Sequence, residues 1–315
     1  MNCLSLKHKS EYKTAALKFK RVTAPAVALF FVAGILNSGQ VVAGPQFGAS
    51  VVSEYDSNIL PEADITTQNQ GDWATGTSGY LGWKSKSQSG YEWQGRYEYS
   101  ITRWQQAPEF DTNLQTGYLR LGYNKGAYTS DLVALIAYAD LEGQPFMALR
   151  RLSPAFGYFF SSQWYVRAQV DIGDKTFELY PERDATQLGG RANVFWLINR
   201  TRHYISLRGV FRNEDTRSEP FGYKSVNSRL RWKYRVGELS LMAQGAWEVR
   251  HYEAVWTDIG ERRKDNRIRL NAGFEYPLWW GVTLEADAGR DIYQSNLPTA
   301  DYKQYRFKLG VSWDY

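Results

Sequence analysis

The chain has 315 residues, with 38 Lys and Arg against 33 Asp and Glu, three His and one Cys. Six of the basic residues (Lys7, Lys9, Lys13, Lys18, Lys20, Arg21) and one acid, Glu11, fall in the first 43 residues, leaving 32 of each sign beyond them. The basic excess therefore belongs to the leader, which removes the electrostatic case for nucleic-acid binding. Cys3 lies ahead of the first apolar run, which excludes a disulfide, a downstream thiol ligand and a lipoprotein attachment site.

In chain order, the basic front is followed by an apolar run from Ala24 to Leu36 that ends in Val41-Val42-Ala43. That pattern predicts a secretory signal peptide over residues 1–43, cut after Ala43; a transmembrane helix is the rival, and needs about 20 apolar residues. The remainder, 44–315, is polar on average yet rich in aromatics, the chain holding 12 Trp, 22 Tyr and 15 Phe. Period-two alternation bounded by turn residues predicts fourteen strands, starting near Phe47, Asp72, Tyr91, Leu114, Tyr128, Met147, Trp164, Thr186, Arg202, Tyr223, Glu238, Asn266, Gly281 and Lys303. The seventh opposes Trp164, Val166, Ala168, Val170 and Ile172 to Tyr165, Arg167, Gln169 and Asp171. The tenth opposes Leu230, Trp232 and Tyr234 to Arg229, Arg231 and Lys233. Three are less regular: the second, the fifth (Leu132 to Ala139, apolar on both faces) and the sixth, which Pro154 interrupts.

One face for lipid and one for water, an even strand count and aromatics for two interfacial girdles predict an all-β, 14-stranded antiparallel transmembrane up-and-down barrel. Trp83, Trp93, Tyr123, Trp164, Trp196, Tyr234, Trp279, Trp280 and Tyr315 fall at or near the short-turn ends, where amphipathic rings sit at headgroup level. Connections alternate long (such as 57–71, 103–113, 175–185, 213–222 and 253–265) with short (such as 124–126, 199–201 and 236–237), with 141–145 intermediate. Short turns are periplasmic in such barrels, so both termini are expected in the periplasm and seven loops outside.

The same register turns Arg96, Arg120, Arg167, Arg191, Arg208, Arg212, Arg229, Arg231, Lys233, Arg267, Arg269, Arg306 and Lys308 toward the lumen, against fewer acids: Glu92, Glu98, Asp171, Glu248, Glu275, Glu285 and Asp287. Arginine forks hold carboxylate, sulfate or phosphate bidentately, so this lining favours anionic solutes or an acidic polymer. The competing expectation is that these charges pair across strands and merely keep the interior wet. Densest are Arg229, Arg231, Lys233, Arg267 and Arg269, with Gln244, Glu248 and Arg250 on the strand between. No enzyme is expected: of the two histidines beyond the leader, His203 sits at a short turn and His251 at a loop base, with no serine in a recognisable motif beside it. No metal centre and no cofactor are expected, and outer-membrane lipids and lipopolysaccharide are the expected contacts.

The last eight residues, Lys308 to Tyr315, place Lys308, Gly310, Trp313 and Tyr315 in a spacing that resembles the β-signal of Gram-negative outer-membrane barrels. That resemblance implies recognition by the barrel-assembly machinery. The closing hairpin, with Ser295-Asn296, Asp301-Tyr302 and Leu309 to Trp313, and the early Glu54-Tyr55-Asp56-Ser57-Asn58 are similar to two groups: barrels associated with exopolysaccharide export, and the barrel of surface-lipoprotein assembly modifiers. The leading function is thus a porin-like channel. The alternatives are a secretion barrel for exopolysaccharide or surface protein, working with a periplasmic export partner, and a non-transporting structural or adhesive barrel.

Overall fold

The computed structural model describes residues 41–59, 71–87 and 89–315. Among them fourteen strands run in order: β1 (Val41–Asp56), β2 (Asp72–Ser87), β3 (Tyr91–Trp104), β4 (Thr112–Lys125), β5 (Tyr128–Leu141), β6 (Gln144–Phe159), β7 (Trp164–Phe177), β8 (Ala185–Asn199), β9 (His203–Thr216), β10 (Tyr223–Val236), β11 (Leu239–Trp256), β12 (Glu261–Pro277), β13 (Val282–Ser295) and β14 (Tyr302–Asp314). Each pairs antiparallel with its successor, and β14 pairs with β1, closing the barrel. Closure removes both sheet edges, so every ladder donor and acceptor has somewhere to go. The segment 1–43, expected to be a signal peptide, lies outside the described residues except for Val41–Ala43, which pair with Ser85–Ser87 of β2.

Two faces follow from the alternation. On β14, Tyr305, Phe307, Leu309 and Val311 are exposed on the outside, while Gln304, Arg306, Lys308 and Gly310 turn inward and are partly or fully covered. Outside, rings pair between neighbouring strands, as in Tyr91 with Tyr123 (centroids 4.7 Å apart) and stacked Trp164 with Trp196 (5.9 Å). Inside, polar side chains bond across strands.

The seam has its own geometry. Val52 faces Gly310 and Glu54 faces Lys308, whose Nζ lies 2.7 Å from the Glu54 carboxylate. A Cβ on Gly310 would stand 2.7 Å from Val52 Cγ2 and 3.0 Å from the Val51 carbonyl, so only glycine lets the two strands meet here. The Tyr315 ring stacks on Phe47 at 4.6 Å, and Trp313 Nε1 donates to the Trp280 carbonyl at 3.1 Å.

Three expectations need correction. The connections at the end carrying 57–71 are shorter than the polar stretches suggest, because polar strand ends go on pairing: β12 begins at Glu261, not Asn266, and the β11–β12 connection is only 257–260. The intermediate connection is a tight turn, Glu142-Gly143, with φ of 51° and 73°. Two left-handed residues match the twist of a hairpin. Finally, β6 runs unbroken through Pro154. The proline faces outward, and its missing N–H leaves only a gap in the β6–β7 ladder between Leu152↔Ile172 and Ala155↔Gln169.

A repeated turn shapes the same end. Pro108-Glu109-Phe110-Asp111 and Pro181-Glu182-Arg183-Asp184 each form a 3-10 turn whose aspartate reaches back, taking the Trp104 amide at 2.8 Å and the Phe177 amide at 2.7 Å. Pro298-Thr299-Ala300-Asp301 repeats the turn.

Candidate permeation pathway

The interior is built from rungs that cross several strands. One carries Arg167, Asn193, Arg208, Arg229, Ala246, Arg269 and Asp291 in register from β7 to β13. A second, next toward the opposite end from 57–71, carries Ser206, Arg231, Gln244 and Asn271. Because side chains alternate strictly in a closed antiparallel sheet, all these residues face one another across the bore.

Carboxylates meet most of the sequence-derived arginines. Arg96 pairs with Glu98 at 2.8 Å and covers the Tyr80 ring. Arg120 contacts Asp131 and lies 3.4 Å from Glu92, while Arg167 reaches Asp131 at 3.3 Å. Arg191 meets Asp171 at 3.1 Å, and Lys233 meets Glu275 at 3.0 Å. Arg269 bonds Glu248 at 3.0 Å, and Arg267 forks onto Asp291, which is 1% exposed.

The dense cluster therefore divides. Lys233, Arg267 and Arg269 are neutralised; Arg229 and Arg231 are not. Arg231 donates to the Gln244 amide oxygen at 3.3 Å, and Arg208, in register with Arg229, donates to the Asn193 amide oxygen at 2.8 Å. Arg229 Nε is buried with no hydrogen-bond partner among the described residues. Neutral acceptors satisfy the geometry of a guanidinium and leave its charge uncancelled. Arg306, on β14, also makes no ion pair among the described residues.

Toward the end bearing 57–71, the lumen of β10–β13 is tightly packed. Asp265, 2% exposed, accepts from Arg263 Nε at 2.9 Å, from Ser295 Oγ at 2.7 Å and from the Tyr293 hydroxyl. The Arg263 guanidinium covers the rings of Tyr252 and Trp256. On the neighbouring wall Glu214 accepts from Lys175 at 2.8 Å, Gln187 at 2.6 Å and the Tyr223 hydroxyl at 3.0 Å.

No family model and no curated protein matches the chain. Solved structures do: an anion-selective porin from Comamonas acidovorans (TM-score 0.53, 10% identity, covering 88% of this chain and all of that one) and the outer-membrane channel DcaP of Acinetobacter baumannii (TM-score 0.52, 10% identity, 90% of this chain and 99% of that one). A loop-deletion mutant of OmpT, an outer-membrane protein of Vibrio cholerae, is similar too (TM-score 0.51, 12% identity, 89% and 100%).

The fold is that of outer-membrane channel barrels. At these identities the likeness speaks for architecture alone, so the lumen must be judged on its own residues.

Every basic residue expected in the lumen stands on the inner face, and the expected acids stand there with them. Sequence reading overlooked Asp131, Glu214, Asp265 and Asp291, and with them Arg151, Lys175 and Arg263. Asp131, Glu214, Asp265 and Asp291 are each at most 9% exposed. The alternation that exposed the arginines applies equally to Asp291, which lies between outward Arg290 and Ile292. His203 Nε2 accepts from Trp232 Nε1 at 3.2 Å, and His251 lies on the outer face in register with Lys224 and Lys264. Among the described residues no group of three His, Cys, Asp or Glu could hold a metal ion.

Proposed function

We propose that this protein is a porin-like channel of the Gram-negative outer membrane, passing polar, anionic solutes or an acidic polymer through its arginine-bearing lumen. In this reading both termini are periplasmic and the Pro-x-x-Asp turns face the exterior, in contact with lipopolysaccharide. Lys308, Gly310, Trp313 and Tyr315 present the closing strand to the barrel-assembly machinery. The barrel acts on its solute by selection, not by catalysis.

The observation that carries the proposal is the Arg208, Arg229 and Arg231 group, three inward guanidinium groups with no carboxylate paired to them, in a bore where Arg96, Arg120, Arg167, Arg191, Arg267 and Arg269 are each matched by an acid. A solute anion can supply the missing counter-charge at little cost in desolvation, and can leave again because no single arginine encloses it. Comparison supports the same direction, since one structural neighbour is described as anion-selective.

The test is single-channel recording of the refolded barrel in a planar bilayer, with the reversal potential read under a salt gradient. A steady current with a reversal potential on the chloride side is expected. A barrel that stays closed, or one that prefers potassium, overturns the reading.

A further inference from the structure

One part of the lumen does not belong to the charged pathway. The fifth strand is apolar on both faces, and the register sends Val133, Leu135, Ala137 and Ala139 inward. The rung of Ala139 continues into Leu114 on β4 and Met147 on β6, and from Met147 to Phe177 on β7; that of Ala137 continues into Leu149, while Leu135 lies between Tyr118 and Arg151, and Val133 between Arg120 and Ser153. The apolar residues among them form a contiguous patch on a surface that barrels of this kind keep polar. Leu114 is 38% exposed, and Leu135, Met147 and Leu149 are partly exposed.

In a closed ring of fourteen consecutive strands, the strand seven places on stands opposite. β5 therefore faces β12, the strand of Arg263, Arg267 and Arg269, and β4 faces β11, the strand of Arg250. Both surfaces lie in the half of the barrel that carries the Pro-x-x-Asp turns: Leu114 is the third residue of β4, Ala139 the third from the end of β5, and Arg263 the third of β12. One wall carries an apolar patch bordered by Arg120, Arg151 and Lys175, and the wall across from it holds guanidinium groups and tyrosines, with the uncompensated arginines on the adjoining β9 and β10.

We infer that the preferred solutes are amphipathic organic acids, molecules with a carboxylate at one side and an apolar body at the other. A sugar acid or an inorganic anion satisfies the arginines alone and leaves the apolar wall wetted. An arylalkyl carboxylate satisfies both walls at once: its carboxylate faces the arginines while its ring withdraws surface from water against Leu135, Leu149 and Met147. The inference rests on the channel reading and adds the solute class to it.

The experiment is a bi-ionic reversal-potential measurement on the full refolded barrel, with potassium chloride on one side and potassium phenylacetate or potassium gluconate on the other. Phenylacetate is expected to be about fivefold more permeant than gluconate after correction for free mobility, the ratio gained by withdrawing about 40 Å2 of apolar surface from water. Leu135→Asn with Leu149→Asn is expected to bring that ratio down toward one. Leu114→Ser, closer to the rim and checked for folding by heat-modifiable gel mobility, should lower it in the same direction. If the barrel is anion-selective but the corrected ratio is one, or if the variants leave it unchanged, the solute class is wrong and the channel reading stands. Absence of current overturns both.

Discussion

Removing one uncompensated arginine tests the link between lumen geometry and selectivity most directly. Arg229 stands in register with Arg208, two residues from Arg231, with no carboxylate paired to any of the three. A unit charge about 4 Å from a monovalent ion in a water-filled bore contributes about 1 kcal/mol. Because the charge attracts chloride and repels potassium alike, Arg229→Gln should lower the chloride-over-potassium permeability ratio by up to about thirtyfold at low salt. The effect should fade as salt rises, because the screening length falls from about 10 Å at 0.1 M to about 3 Å at 1 M. The control is a pair-neutral double substitution, Arg267→Gln with Asp291→Asn, which deletes a matched ion pair and should leave the ratio as it is. Asp291→Asn alone uncovers Arg267 and should raise it. Reversal potentials across a range of salt gradients give all three numbers. Equal shifts for Arg229→Gln and the pair-neutral double would refute the reasoning, since selectivity would then depend on how many arginines the lumen has and not on which are unmatched.

Other consequences are open to measurement. Asp265→Ala removes the carboxylate that accepts from Arg263, Ser295 and Tyr293, and should lower unfolding stability by about 3–5 kcal/mol. Arg263→Met with Asp265→Leu should recover most of that loss, and denaturant unfolding of the refolded barrel decides the matter: a single variant as stable as the parent refutes the pair's role. Gly310→Ala forces a methyl against Val52 and should reduce the folded fraction seen as heat-modifiable gel mobility; Gly79→Ala, whose Cβ meets only a carbonyl at 3.8 Å, should not. Asp111→Ala removes the acceptor for the Trp104 amide and should cost about 1 kcal/mol, read as faster hydrogen exchange at that amide, with Asp184→Ala doing the same at Phe177.

The barrel was legible wherever alternation and turn residues coincided. Strands begin at the expected Asp72, Tyr91, Tyr128, Trp164 and Tyr223 because each of these follows a turn closed by small or glycine residues or opens a regular apolar alternation. Boundaries slipped where strands leave the apolar band. The β12 segment Glu261 to Asp265 is charged on both faces, so no hydrophobic period marks it, yet it pairs with β11 and β13. The Pro-x-x-Asp turns were legible in principle, since the motif recurs at Pro108, Pro181 and Pro298, but hairpin-level reading treated them as generic polar loops. For the lumen, sequence could place arginines on a face but could not say which had partners. That depends on cross-strand register: Arg269 meets Glu248 only because Ala246 faces it, one position from Trp247.

All the pairings except one join strands adjacent in sequence, so each can form as its own hairpin once its two strands are present. The exception, β1 with β14, joins the ends of the described sheet, Asp56 meeting Arg306 and Gly48 meeting Asp314. Until that contact is made the molecule is a curled ribbon with two bare edges, each a template for another copy of itself. Protection from self-association thus rests on the last 13-residue strand, so a chain stopped just short of it would carry all but one of its hairpins and still present two bare edges.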